Sequence, residues 1–191
     1  MEVFDRITGS EVERHLARLA GMKISRVWLG HADALFLECG RLRAETVRTS
    51  KRVVRPVHGQ VTFMLECCWR VEKARSLDFG ICSRRGIIDE RHRGLKGRRI
   101  AGVEATGRIP ELRIELDDGR AVSTFTAHRK EPGWSIGFKD LRRIEVDEVW
   151  KGNDVSVWLS FAGGRFRRGY CFDERDFSDK AYLRRVYGVQ L

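Results

Sequence analysis

The 191-residue sequence has only 3 prolines and no Pro- or Gly-rich tract that would act as a linker. It therefore reads as a single domain over 1–191, within the roughly 100–200 residues usual for one domain. No uninterrupted apolar run approaches the ~20 residues of a membrane helix, so no membrane partner is expected. The opening stretch MEVFDRITGSEVERHLARLAG lacks a basic segment followed by an apolar one, and no secretory leader is expected there. Cys39, Cys67, Cys68, Cys82 and Cys171 are odd in number and form neither a C-x-x-C pair nor a Cys–His zinc spacing. They are expected to be reduced thiols of a cytoplasmic protein, bound to no metal and joined in no disulfide.

Catalytic patterns are equally scarce. His15, His31, His58, His92 and His128 are scattered, and none falls in an H-x-x-x-H or H-E-x-x-H frame. Gly163 and Gly164 are not followed by the Lys-Ser/Thr of a phosphate loop, and Asp117-Asp118-Gly119 reads as a turn. No catalytic residue and no cofactor is nominated. The expectation is a non-enzymatic protein.

What is present is a patterned core, with 42% hydrophobic residues. Ser10 and Glu13 form an S-x-x-E capping box, and Val12, Leu16 and Leu19 share one helical face, which predicts a helix at about 10–20 stopped by Gly21. Beyond it, period-two alternation dominates. Leu112, Ile114 and Leu116 alternate with Arg113 and Glu115. Val155, Val157, Leu159 and Phe161 lead to Gly163-Gly164 and a return strand with Phe166, Tyr170 and Phe172. Phe63, Leu65, Cys67, Trp69 and Val71 read as one strand, with Leu77–Cys82 returning beside it. A short helix at about 178–187, capped by Ser178, is expected to end the chain. Ile24-Ser-Arg-Val27 with Leu35–Arg41 is echoed by Ile100-Ala-Gly-Val103 with Leu112–Arg120. The fold class is therefore α+β, mainly an antiparallel sheet of repeated hairpins with an N-terminal and a short C-terminal helix.

The strand ending Cys67-Cys68-Trp69-Arg70, followed later by Leu112–Gly119 and Trp134, resembles an uncharacterised family of small bacterial proteins. The resemblance covers about 20–138 and rests on a Cys-x-Trp-Arg motif and a turn glycine. It implies architecture and no activity, and the C-terminal hairpin and helix at 140–191 lie outside it.

Charge is the strongest signal. The net charge of +10 is concentrated in two segments. Segment 41–60 holds Arg41, Arg43, Arg48, Lys51, Arg52 and Arg55 against Glu45. Segment 84–99 holds Arg84, Arg85, Arg91, Arg93, Lys96, Arg98 and Arg99 against Asp89 and Glu90. If Gln60–Val71 and Leu77–Cys82 form one hairpin, both segments emerge as loops at the same end and merge into one basic face. Its nominated contacts are Arg48, Lys51, Arg52 and Arg55 from the first loop, and Arg84, Arg85, Arg91, Arg93, Arg98 and Arg99 from the second. Such a face suits an acidic protein surface or a polyanion, either nucleic acid or a phosphate ligand. Arginine, which outnumbers lysine 29 to 8, favours bidentate phosphate contact. Neither segment contains an aromatic residue, as single-strand binders would require. Arg48-x-x-x-Arg52 and Ser83-x-x-Gly86 also resemble the paired signatures of PilZ cyclic-dinucleotide receptors, but Ile81 stands where that family has an acid or amide.

Overall fold

The computed structural model describes residues 2–6, 8–44, 47–48, 53–66, 68–107, 110–125, 133–138, 155–162 and 165–172. The chain begins with β1 (Glu2–Arg6), α1 (Gly9–Ala17), β2 (Ile24–Leu29) and β3 (Leu35–Cys39). Four two-residue strands follow, β4 (Arg43–Ala44), β5 (Val47–Arg48), β6 (Val53–Val54) and β7 (Val57–His58), then β8 (Val61–Leu65). β9 (Trp69–Lys73) and β10 (Ser76–Gly80) precede α2 (Arg85–Arg91) and a 3-10 helix at His92–Leu95. β11 (Ile100–Thr106), β12 (Glu111–Leu116), β13 (Ala121–Thr124) and β14 (Trp134–Phe138) come next, with β15 (Val155–Ala162) and β16 (Arg165–Phe172) after them.

Two antiparallel sheets carry the fold. One has seven strands in the order β1-β16-β15-β14-β8-β3-β2, the other five in the order β10-β9-β13-β12-β11. Leu35, Leu37, Phe63, Leu65 and Ile136 of the first meet Trp69, Val71, Ile114 and Val122 of the second in one core. Val12 and Leu16 of α1, and Ile88 and Leu95 of the α2 region, belong to the same core. β12 shows the expected alternation, with Leu112, Ile114 and Leu116 buried, Glu115 exposed and Arg113 half-buried. β15 and β16 pair from Val155↔Phe172 to Ala162↔Arg165, on either side of Gly163-Gly164.

The two sheets share a strand order. β2-β3-β8-β14-β15 in one corresponds to β11-β12-β13-β9-β10 in the other, so each half of the chain sends its last strands into the other half's sheet. Reciprocal hydrogen bonds join the halves where they meet. Gly21 N donates to Ile100 O and Gly97 N to Ile24 O, while Ile24 N donates to Arg98 O and Ile100 N to Met22 O. Gly21 and Gly97 both have φ in the left-handed region, at +82° and +92°. Both first strands also bulge at their start, between Ile24 and Arg26 and between Ile100 and Gly102.

Three expectations are corrected. The N-terminal helix starts earlier, because Thr8 and Glu11 form the same T/S-x-x-E box two residues before Ser10 and Glu13. Glu11 N donates to Thr8 Oγ1 at 3.3 Å and Thr8 N to Glu11 Oε2 at 2.8 Å. The helix ends at Ala17, and Gly21 closes a following turn instead. The stretch 63–71 is not one strand. The chain leaves the first sheet after Leu65 and enters the second at Trp69 through Cys68, whose φ is +54°. Phe63, Leu65, Trp69 and Val71 all face the core, so period two runs through the break without showing it.

Among the described residues, the two basic segments are not simply loops. Segment 84–99 carries α2 and the 3-10 helix, because Ile88, His92 and Leu95 are buried at helical spacing. The described residues of segment 41–60 include the four short strands β4 to β7, as described below. The expected helix at 178–187 lies outside the described residues, as do Cys67 and the tail beyond Phe172.

Candidate functional site

β3 and β8 pair from Leu35↔Leu65 to Cys39↔Val61 inside the seven-stranded sheet. The same two chains then continue outside it as a two-stranded arm, pairing Arg43↔His58, Ala44↔Val57, Val47↔Val54 and Arg48↔Val53. No other strand pairs with this arm among the described residues. In the other half, the equivalent β12–β13 connection is closed by a tight turn at Asp117–Arg120, where Gly119 N donates to Leu116 O at 3.1 Å. The fold can close this connection without an arm.

The root of the arm is built on a buried carboxylate. Glu38 is 0% exposed. Its Oε2 accepts Thr62 Oγ1 at 2.6 Å and Gly59 N at 2.8 Å, and its Oε1 accepts Trp28 Nε1 at 3.1 Å, with His58 Nδ1 3.5 Å away. Burial alone would push this carboxyl up. His58, then Gly59, Thr62 and Trp28, more than offset that, holding it at about 2 against an ordinary 4.5. The cross-strand counterpart in the other half, Glu115, is exposed and faces Ala121 where Glu38 faces Thr62. Next to Glu38, burial and then the Glu38 charge push the Cys39 thiol up, which leaves it an inert core sulfur.

Side chains from β2 brace the same root. Arg26 Nη1 donates to Val57 O at 2.9 Å, and Ser25 Oγ donates to Gly40 O at 2.5 Å. Trp28 stacks on Phe36 with centroids 3.8 Å apart and planes 9° from parallel, and the Arg26 guanidinium lies 5.8 Å from the Trp28 centroid. The indole is thus engaged by Phe36, by the Arg26 guanidinium and, through Nε1, by Glu38, so Trp28 helps to fix the root. Gly59 passes so close to β3 that a Cβ there would sit 2.5 Å from Cys39 O and 2.6 Å from Cys39 N. Both are backbone atoms that cannot swing aside. Gly59→Ala should therefore cost about 1–3 kcal/mol, read as a lower urea midpoint with an unchanged slope.

The nominated cations divide into unlike groups. Arg48 lies in β5 and Arg55 is exposed between β6 and β7, while Lys51 and Arg52 fall outside the described residues. In the second segment, four of the seven bases are committed to the protein itself. Arg85 pairs with Asp33 and with Asp89, the latter at 3.0 Å. Arg91 reaches the nearly buried Asp78 at 2.8 Å, where Lys73 also pairs at 3.0 Å. Arg98 pairs with Asp118 at 3.1 Å, and Arg99 Nη1 donates to Gly21 O at 3.0 Å. Burial raises the Asp118 carboxyl, and hydrogen bonds and charge from Arg120, with Arg98, bring it below its usual range. Arg84, Arg93 and Lys96 are exposed with no side-chain partner among the described residues.

The two segments do approach each other, though not through the expected hairpin, since Val61–Leu65 and Trp69–Lys73 lie in different sheets. They meet at Lys23, which bridges to Arg99 and whose carbonyl accepts Gly40 N at 2.8 Å. Lys23 and Arg41, both exposed at the root, were not among the nominated contacts. Arg84 and Arg85 sit at the other end of β2, beside Asp33, roughly 17–20 Å away at ~3.4 Å per strand residue. The single patch thus resolves into an arm, a root and a remote helix start. No protein family profile matches the chain, and no similar chain is found among curated proteins or solved structures.

Proposed function

We propose that this is a non-enzymatic binding protein that holds a phosphate-bearing polyanion on its basic arm. One observation carries the reading. Where one half of the chain closes with the turn at Asp117–Arg120, the other extends a paired arm whose segment, 41–60, has six bases and one acid. We read the halves as a repeated unit and the arm as an addition to one of them. Segment 84–99, by contrast, supplies the helix equivalent to α1, and three of its seven bases, Arg85, Arg91 and Arg98, are paired with Asp33, Asp89, Asp78 and Asp118. An acidic protein surface is the less suitable partner, because protein contacts rely on aromatic anchors and the arm has none. The free thiols at Cys39, Cys68 and Cys82 suit a reducing, cytoplasmic setting.

The test is a salt titration of binding to a labelled 30-base-pair duplex and to heparin. If the six bases of the arm segment each meet a phosphate, log K should fall against log salt with a slope of about −5. Between 50 and 200 mM salt the affinity should then drop roughly a thousandfold. A flat salt response, or no binding to either polyanion at 50 mM salt, would overturn the reading.

A further inference from the structure

We propose that the junction between the two halves holds one phosphate group of the polyanion, bound jointly by Lys23, Arg41 and Arg99. This rests on the polyanion reading and gives it a fixed contact at the root of the arm.

The backbone sets two cations against each other. Lys23 and Arg99 form an antiparallel bridge. Ile24 N donates to Arg98 O at 2.8 Å and Ile100 N to Met22 O at 2.9 Å, so the hydrogen bonds flank the pair and do not join it. A pair of this kind brings its Cα atoms to ~4.5 Å and sends both side chains to one face. Both residues are exposed, and like charges directly opposite destabilise a strand pair. A third cation lies alongside. Gly40 N donates to Lys23 O at 2.8 Å, and Arg41 follows, exposed, with its own N–H donating to Gln60 Oε1 at 2.9 Å.

No acid answers these three. Across the bridge, Asp117 N donates to Arg99 O at 2.9 Å, just as Gly40 N donates to Lys23 O. The residue after Asp117 is Asp118, which pairs with Arg98 at 3.1 Å and with Arg120 at 2.7 Å. The residue after Gly40 is Arg41. One side of the bridge therefore carries its own countercharge, and the other adds a base. Lys23, Arg41 and Arg99 have no ion pair among the described residues, and neither does the exposed Asp117. Arg99 Nη1 donates to Gly21 O at 3.0 Å, which steadies the guanidinium and leaves its other N–H groups for an anion. Gly21 N to Ile100 O and Gly97 N to Ile24 O, both 2.7 Å, hold the backbone beneath, so the strands cannot part to relieve the repulsion. A phosphate between the side chains turns that repulsion into attraction.

The pair predicts opposite signs for folding and for binding, and this supplies the test. Lys23→Glu replaces the repulsion by an attraction to Arg99, so at low salt its Tm should rise by about 2 °C or more. The same variant should bind the labelled duplex about tenfold or more weakly than the parent, with a salt slope shallower by about one. Lys23→Gln should fall between the two in both measurements. Arg84→Glu makes the same change of charge at the far end of β2 and should bind within about threefold of the parent. A folding defect cannot yield a variant that is more stable and binds less. A lower Tm in Lys23→Glu, parent-like binding by it, or an equal loss in Arg84→Glu would overturn the junction site while leaving the polyanion reading standing. Failure of the parent to bind either the duplex or heparin would remove both.

Discussion

Arg41→Gln, Arg48→Gln and Arg55→Gln together are expected to weaken duplex binding on the order of 500-fold at 0.1 M salt and to flatten the salt slope from about −5 to about −3. Each phosphate contact releases close to one condensed counterion, so three contacts account for nearly three decades at that concentration. The residues sit at the root, in β5 and between β6 and β7, so the substitutions sample the whole described arm. Arg41 and Arg55 are exposed, and stability should change little. Arg70→Gln, Arg84→Gln and Arg113→Gln remove the same charge from the outer side of the five-stranded sheet and the far end of β2. That triple variant should bind within about threefold of the parent. Equal losses from the two triples, measured by fluorescence anisotropy, would mean general basicity and sink the arm as a site.

Protonating Glu38 is expected to release the root of the arm. The folded carboxyl is held at about 2 against an ordinary 4.5, so its stabilisation is complete above pH 4.5 and is lost as the pH falls towards 2. The difference corresponds to on the order of 3 kcal/mol over that window. Urea unfolding at pH 6 and pH 2.5 should show the loss in the parent, and Glu38→Gln should remove this component of the pH dependence. Glu38→Leu should be worse at every pH, by on the order of 3–5 kcal/mol, because Thr62 Oγ1, Gly59 N and Trp28 Nε1 lose their acceptor inside the protein. An unchanged stability difference between parent and Glu38→Gln from pH 6 to 2.5 would show that the carboxylate does not hold the root.

Period-two patterning made the antiparallel sheets legible, because every inward residue of β12 is a large aliphatic and every outward one is charged. It failed at Cys68 for a definite reason: both strands there keep odd-numbered residues inward, so changing sheets alters no parity. α2 was missed because its single apolar stripe, Ile88 to Leu95, is short and set among seven bases that dominate the composition. The arm was legible as charge and not as structure. Its strands are two residues long, broken by Pro56 and by the positive-φ Gly40, and neither pair alone reads as a strand. Lys23 gave no signal at all, since its place between the two segments depends on the Gly40–Lys23 hydrogen bond and on the bridge between residues 23 and 99. Glu38 could have been suspected, being the one acid between the apolar Leu37 and Cys39, but its acceptor role needed Gly59 and Thr62 from a strand more than twenty residues away.

The crossing of β9 and β14 makes the molecule an intramolecular analogue of a strand-exchanged dimer. Each half finishes its own sheet with strands borrowed from the other, and neither half encloses a core by itself. The two halves must accordingly unfold in one cooperative step, although the chain looks tandem. A cut between β10 and α2 would expose the pairing edges of β8 and β13 together. Any attempt to trim the protein to the half that bears the arm would then yield a species that seeks a second copy of itself, so the smallest unit able to present the arm as a monomer spans both halves.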